Sequence, residues 1–165
     1  MYYGTRLGLL LVIFSLIVWI MGVDEQSSIP SIINNLLIVG FLFYSITYYR
    51  DNRNHRFISY AQSLKLGTSI AFFSSLITAF YTLLYLSYLN PDILSNILVI
   101  TEQSALQSNP EISNEELEQT LEITQNLMKP HWLMILGVLG GTFMGFFYSL
   151  IISLFVRRTN SNTIE

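Results

Sequence analysis

Cysteine is absent from the chain, which excludes disulfides, thiolate nucleophiles and cysteine-ligated metal sites. Charged residues are scarce, because Asp, Glu, Lys and Arg make up only 12% of the 165 residues. Soluble domains carry roughly twice that fraction, so the composition excludes an ordinary soluble surface. Basic residues are also too few for a nucleic-acid-binding protein, since the formal net charge is −3.

Ionisable residues are missing from four long apolar runs, which cover about residues 7–23, 32–49, 66–89 and 132–156. A helix over each run would be roughly 25–37 Å long, enough for a hydrocarbon core of about 30 Å. The chain therefore predicts one domain over residues 1–165, an all-α integral membrane bundle of four helices. The first run is longer than the ~7–15 apolar residues of a signal peptide, and no A-x-A-like cleavage site precedes Asp24. We therefore expect this span to be retained.

The charges that remain are sorted by sign between the spans. Short cytoplasmic loops retain Lys and Arg, so the side with the basic residues is expected to be cytoplasmic, with both termini. Nine of the eleven Asp and Glu residues would lie on the opposite side. Seven of the eight Lys and Arg residues would lie on the cytoplasmic side, namely Arg6, Arg50, Arg53, Arg56, Lys65, Arg157 and Arg158.

Residues 50–65 form the predicted basic loop between spans two and three. Its arginines, Arg50, Arg53 and Arg56, are expected to serve membrane topology and to meet anionic lipid headgroups. His55 lies among them and is expected to be solvated. Near the other end of span two, Asn34 and Asn35 are expected to hydrogen-bond a neighbouring helix rather than a substrate.

Residues 90–131, between spans three and four, form the sizeable extramembrane segment. Asn90-Pro91-Asp92 predicts one helix start, and Ser113-Asn114-Glu115-Glu116 predicts a capping box at the start of a second helix. The segment is acidic and is expected to offer a surface to a protein partner. Three carboxylates of the second helix share a side, which we interpret as a solvated face rather than a cation site; they are Glu115, Glu118 and Glu122.

Small residues recur at every fourth position in the last two spans. In lipid, helices associate through close backbone packing, and small residues permit it. We therefore predict that spans three and four pack on each other. The main alternative is a homo-oligomer, namely a homodimer through span four, and a glycine-lined pathway is a weaker one. The predicted packing residues are Gly67, Ala71, Ser75, Ala79, Gly137, Gly141, Gly145 and Ser149. The series continues at Ser59 and Ser63 before span three and at Ser153 in span four.

Catalytic and cofactor motifs are missing from the sequence, which has no HExxH, GxSxG or P-loop pattern. The two histidines, His55 and His131, would lie on opposite sides of the membrane, so they predict neither a metal site nor a Ser-His triad. We expect no enzyme, no cofactor, no metal and no nucleic-acid partner. The leading expectation is a scaffold or interaction subunit in the lipid bilayer. The alternative is an oligomeric transporter or channel for small molecules or lipids, with a membrane enzyme third.

Three stretches of sequence together carry a family resemblance. They are Tyr49-Arg50-Asp51 with the Phe57–Gly67 stretch that follows, Asn90-Pro91-Asp92, and the Glu-rich external helix followed by Pro130 and the Gly-rich last span, which closes on Arg157-Arg158. The chain resembles, over nearly its whole length, a bacterial membrane-protein family known as domain of unknown function 4199. Members often carry a Phe-Gly pair where this chain has Tyr60-Ala61. The resemblance implies four spans and the bacterial inner membrane, and it supplies no activity.

Overall fold

The computed structural model describes residues 1–23, 28–89 and 92–158 of the chain. Its α-helices are α1 (Tyr2–Ile20), α2 (Ser28–Arg53), α3 (Tyr60–Leu84), α4 (Asp92–Ser108), α5 (Asn114–Leu127) and α6 (Pro130–Val156). A π-helical turn, Tyr85–Leu89, follows α3 directly. No strand occurs in the described part of the chain, which confirms the all-α class. The predicted helix start at Asn90-Pro91 lies outside the described residues, as do residues 24–27 after the first span.

Four of these helices are long and apolar enough to cross a membrane, namely α1, α2, α3 with its π-helical turn, and α6. The chain is therefore a multi-pass membrane protein with the predicted number of spans. The helices extend beyond the apolar runs, since α1 begins at Tyr2 and α3 at Tyr60. The predicted loop over residues 50–65 was too long as a result, and only residues 54–59 lie between the two helices.

The early start of α3 has a local cause in a second capping box. The backbone N–H of Gln62 donates to the Ser59 hydroxyl at 3.2 Å, and the backbone N–H of Ser59 donates to the Gln62 side-chain oxygen at 3.1 Å. This reciprocal pair satisfies two N–H groups at the helix start. It holds α3 in helical form for more than a turn before the apolar run begins at residue 66.

The chain divides into two compact units, and the first comprises Met1–Thr78 with Val138–Glu165. Its core is small and is built by α1, α2, α3 and α6 together with Ile58 of the short loop. Large apolar side chains elsewhere on these helices remain exposed, including Ile13 at 58% and Phe155 at 77%. Soluble monomers rarely expose apolar surfaces this wide, whereas helices that face lipid do.

The second unit comprises Ala79–Gly137 and contains α4 and α5. The two helices pack together and are joined by residues 109–113. Ser113 accepts from the Glu116 backbone N–H at 3.2 Å, and Glu116 accepts from the Ser113 N–H at 3.3 Å. This confirms the predicted capping box. The connection is tightened further by Ile112, whose N–H donates to the Asn109 carbonyl at 3.1 Å.

Candidate functional site

The small residues of α3 and α6 face each other in the first unit. A Cβ built on Gly141 would lie 2.7 Å from the Cβ of Ser75, and one built on Gly145 would overlap Ala71. Gly67 likewise faces Ser149, whose Cβ would lie 2.8 Å from a Cβ at Gly67. These backbones therefore approach more closely than any side chain larger than hydrogen would permit at the glycine positions.

The last two of the eight predicted packing residues lie in the second unit. A Cβ built on Gly137 would lie 3.5 Å from the Cβ of Ala79, which is an ordinary van der Waals distance. Gly137 therefore has room for a methyl group, unlike Gly141. The structure brings all eight predicted packing residues into four facing pairs within one chain.

Hydroxyl groups extend the contact between α3 and α6. Ser153 donates to Ser63 at 2.9 Å, and both side chains are fully buried. Ser75 and Thr142 share a hydrogen bond at 3.1 Å. Ser149 donates to the Gly145 carbonyl at 2.7 Å, within its own helix. Each of these hydroxyls therefore has a hydrogen-bond partner in the protein.

A third helix packs through glycine as well, and sequence reasoning missed it. A Cβ on Gly4 would lie 2.6 Å from the Cβ of Phe73, and one on Gly8 would lie 2.9 Å from the Cβ of Ile77. Gly4 and Gly8 form a GxxxG pair at the start of α1. That spacing was the available signal, but only Gly8 lies in the apolar run.

Arg50 is buried, contrary to its expected place in an exposed basic loop. Its side chain is part of α2, with only 8% of the residue exposed. One guanidinium nitrogen donates to the carbonyl of Val156, the last residue of α6, at 3.0 Å. The other two bond both carboxylate oxygens of Asp51 at 2.7 and 2.9 Å. Arg50 thus caps α6 and is not available to a lipid headgroup.

The short loop and the end of α6 are also joined through their backbones. Ile58 and Arg158 exchange two hydrogen bonds, 3.0 and 2.9 Å long, as an isolated antiparallel bridge. His55 is exposed as expected, and it adopts a left-handed backbone conformation with φ of 51°. Asn35 accepts a hydrogen bond from the Tyr148 hydroxyl at 2.8 Å, which confirms that it bonds a neighbouring helix.

A groove with the capacity to bind a partner lies between α4 and α5. This acidic groove has a volume of about 360 Å³ and is lined by Leu98, Val99, Glu102, Glu118, Leu121, Glu122 and Gln125. The three glutamates are exposed, whereas the two leucines are half-buried. The groove therefore combines apolar surface with negative charge contributed by two helices.

Two of the three carboxylates predicted to share one side of α5 line this groove. Glu118 and Glu122 do so, Glu115 does not, and Glu102 of α4 joins them. Glu102 was missed because sequence periodicity describes one helix at a time. No group of three His, Cys, Asp or Glu residues is arranged to hold a metal ion within the described ranges.

Comparison with known proteins gives a family without an assigned activity. No curated protein and no solved structure matches the chain. The family model described as "Protein of unknown function (DUF4199)" matches residues 2–158, nearly the entire length, and so includes all six α-helices of the described ranges. The chain therefore belongs to the DUF4199 family of proteins of unknown function.

Proposed function

We propose that the protein is a non-enzymatic interaction subunit of the membrane, and that its acidic groove docks a cationic, amphipathic segment of a partner protein. One observation carries the proposal, which is the apolar floor of Leu98 and Leu121 bordered by Glu102, Glu118 and Glu122. An amphipathic helix places apolar and basic side chains on adjoining faces, so it matches such a groove in both respects.

The charge of this segment supports the same partner chemistry. Between residues 92 and 129 the chain has seven carboxylates and one lysine, giving a net charge of −6. Complementary charge accelerates encounter and selects partners, while apolar contact supplies much of the affinity. A partner with basic residues and an apolar face would gain from both.

We further propose that the groove faces away from the cytoplasm, with both termini cytoplasmic, in a bacterial inner membrane. The sorting of Lys and Arg between the spans supports this orientation. The family resemblance supports the bacterial inner membrane. A transporter has less support. The hydroxyls of Ser63, Ser75 and Ser153 are buried and hydrogen-bond other protein groups, whereas a transport pathway would need polar groups that line it.

The test uses a synthetic amphipathic peptide of leucine and lysine with the full-length protein in neutral detergent. We expect a zero-length carbodiimide crosslinker to join peptide lysines to Glu102, Glu118 and Glu122. The double variant Glu118→Gln/Glu122→Gln should weaken binding about 2- to 30-fold, because two exposed ion pairs of roughly 0.2–1 kcal/mol each are lost.

Two matched controls decide whether the groove is responsible. Glu115→Gln removes an exposed carboxylate of α5 that lies outside the groove, so this variant should bind the peptide as the parent protein does. Leu121→Ala should weaken binding, while Ile123→Ala, which is 61% exposed and outside the groove, should not. Crosslinks spread evenly over all carboxylates, or an equal effect of the control variants, would show that the groove is not the docking site.

A further inference from the structure

A second groove lies between α1 and α2 in the first unit, far along the sequence from the acidic groove. Its volume is about 600 Å³, within the roughly 300–1,000 Å³ usual for small-molecule sites. Aromatic rings form most of its wall, together with two arginines. We call it the tyrosine–arginine groove, and it is lined by Tyr2, Tyr3, Arg6, Phe41, Tyr44, Tyr48, Tyr49 and Arg53.

Charge makes this groove suited to an anion. Arg6 comes from α1 and Arg53 from the last residue of α2, and no carboxylate is among the lining residues. The Arg6 guanidinium carbon lies over the Tyr2 ring, 3.9 Å from its centre, as a cation–π contact. Planar guanidinium groups bind phosphate oxygens through paired N–H donors. Asp51, the acidic residue nearest to Arg53 in sequence, binds Arg50 through both carboxylate oxygens.

The rings around the arginines offer polar atoms next to apolar surface. Tyr3 contacts Tyr2 and Tyr48 edge to face, with ring centres 5.5 and 6.5 Å apart, and Tyr44 contacts Tyr48 at 5.9 Å. Tyrosine favours the boundary between lipid and water, because the ring prefers apolar surroundings while the hydroxyl stays hydrated. The groove therefore has the properties of a headgroup site at that boundary.

An apolar track leads away from the groove along each helix. On α1, Arg6 is followed at helical spacing by Leu9, Ile13 and Ile17, which are 49–58% exposed. On α2, Gly40 lies one turn before Tyr44, and a Cβ built there meets no atom within 4 Å. Open apolar surface next to a cationic headgroup site matches an amphiphile, whereas a soluble phosphate would leave it unused.

We propose that the tyrosine–arginine groove binds one anionic glycerophospholipid. Its phosphate lies between Arg6 and Arg53, and its acyl chains lie on the exposed track of α1 and the open surface at Gly40. This site is independent of the acidic groove and of the partner proposed there. Of the three loop arginines expected to meet headgroups, only Arg53 lines this groove, since Arg50 is buried and Arg56 lies outside it. Arg6 of α1 and the tyrosine rings were not part of that expectation.

Native mass spectrometry of the full-length protein in neutral detergent tests the site, with phosphatidylglycerol and phosphatidylcholine as probes. We expect one phosphatidylglycerol to be retained in preference to phosphatidylcholine. Arg6→Gln and Arg53→Gln should each lower its affinity about fivefold, the equivalent of the roughly 1 kcal/mol that one basic residue contributes near an anionic membrane surface. Arg157→Gln removes an exposed charge outside the groove and should have little effect.

A steric pair tests the acyl track separately from the charge. Gly40→Leu should lower phosphatidylglycerol affinity, whereas Gly140→Leu, at an equally open glycine of α6, should not. Glycerol 3-phosphate should bind more weakly than the lipid and be insensitive to Gly40→Leu. The proposal is overturned if glycerol 3-phosphate binds as well as the lipid, or if Arg157→Gln acts as strongly as Arg6→Gln. It is also overturned if Arg6→Gln and Arg53→Gln leave lipid binding unchanged.

Discussion

Replacing Gly141 with alanine tests the close contact between α3 and α6. The new methyl group would lie 2.7 Å from the Cβ of Ser75, while the same replacement at Gly140 meets no atom within 4 Å. Both Cβ atoms are fixed to their backbones, so no side-chain rotation relieves the overlap. Ordinary contact begins near 3.4 Å, so the backbones must move apart by about 0.7 Å, the difference between the two distances.

The cost of this shift follows from packing and hydrogen bonding. Overpacking a close contact costs typically about 1–3 kcal/mol. The same movement stretches the hydrogen bond between Ser75 and Thr142, now 3.1 Å long. Interhelical hydrogen bonds in membranes contribute about 0.6 kcal/mol on average. Because both variants share the gain of about 0.5–1 kcal/mol for alanine over glycine in a helix, we expect Gly141→Ala to be less stable than Gly140→Ala by roughly 1.5–3.5 kcal/mol.

Unfolding in mixed micelles with increasing SDS, followed by tryptophan fluorescence, measures the difference. Gly140→Ala should equal or exceed the parent protein in stability. Equal stability of Gly140→Ala and Gly141→Ala would refute the contact between α3 and α6. Light scattering should show the same oligomeric state for both variants. Loss of an oligomer in Gly141→Ala without loss of stability would favour the alternative in which span four packs against a second chain.

The number of spans and the facing pairs of small residues could be predicted because each follows from one physical requirement of the bilayer. A spanning helix needs an apolar run as long as the hydrocarbon core is thick. Two helices whose backbones approach closely need small residues at intervals of four, which here are glycine, alanine and serine. The pairs at Gly141 and Gly145 face Ser75 and Ala71 as two antiparallel helices require. The small residues that form the four-residue sequence pattern are therefore the same residues that form the contact between α3 and α6.

The missed features depend on contacts that do not follow from hydropathy. The GxxxG pair of Gly4 and Gly8 begins before the apolar run, so hydropathy does not include Gly4 in the span. The burial of Arg50 was unforeseen because its partners are the neighbouring Asp51 and a carbonyl 106 positions away. A charged side chain near the end of a span can be solvated or can pair with other protein groups. Which of the two occurs depends on the tertiary contacts and not on the local sequence.

The candidate grooves were predictable only in part, for a similar reason. The acidity of the segment after span three was evident, and Glu118 and Glu122 were expected to share a side of α5. The groove itself needs α4, because Leu98 and Glu102 complete it. Likewise, the convergence of the tyrosines with Arg6 and Arg53 follows from the packing of α1 on α2, which sequence periodicity does not describe.

Three further predictions concern topology, packing in the second unit and the cap of α6. An impermeant thiol reagent should label Asn109→Cys but not Asn54→Cys in intact spheroplasts, and equal labelling would contradict the proposed orientation. The pair Ala79→Cys/Gly137→Cys should form a disulfide within one chain, because the Cβ separation of 3.5 Å lies at the near end of the usual ~3.5–4.5 Å; crosslinked dimers alone would contradict it. Arg50→Lys keeps the positive charge, so topology should be unchanged. A single ammonium cannot reproduce the planar fork that reaches both carboxylate oxygens of its neighbour and the last carbonyl of α6. Hydrogen bonds of charged groups contribute about 1.5–3 kcal/mol, so we expect a stability loss of that order and faster amide exchange at the end of α6. Unchanged stability and exchange in Arg50→Lys would show that the positive charge alone, without the guanidinium geometry, is sufficient there.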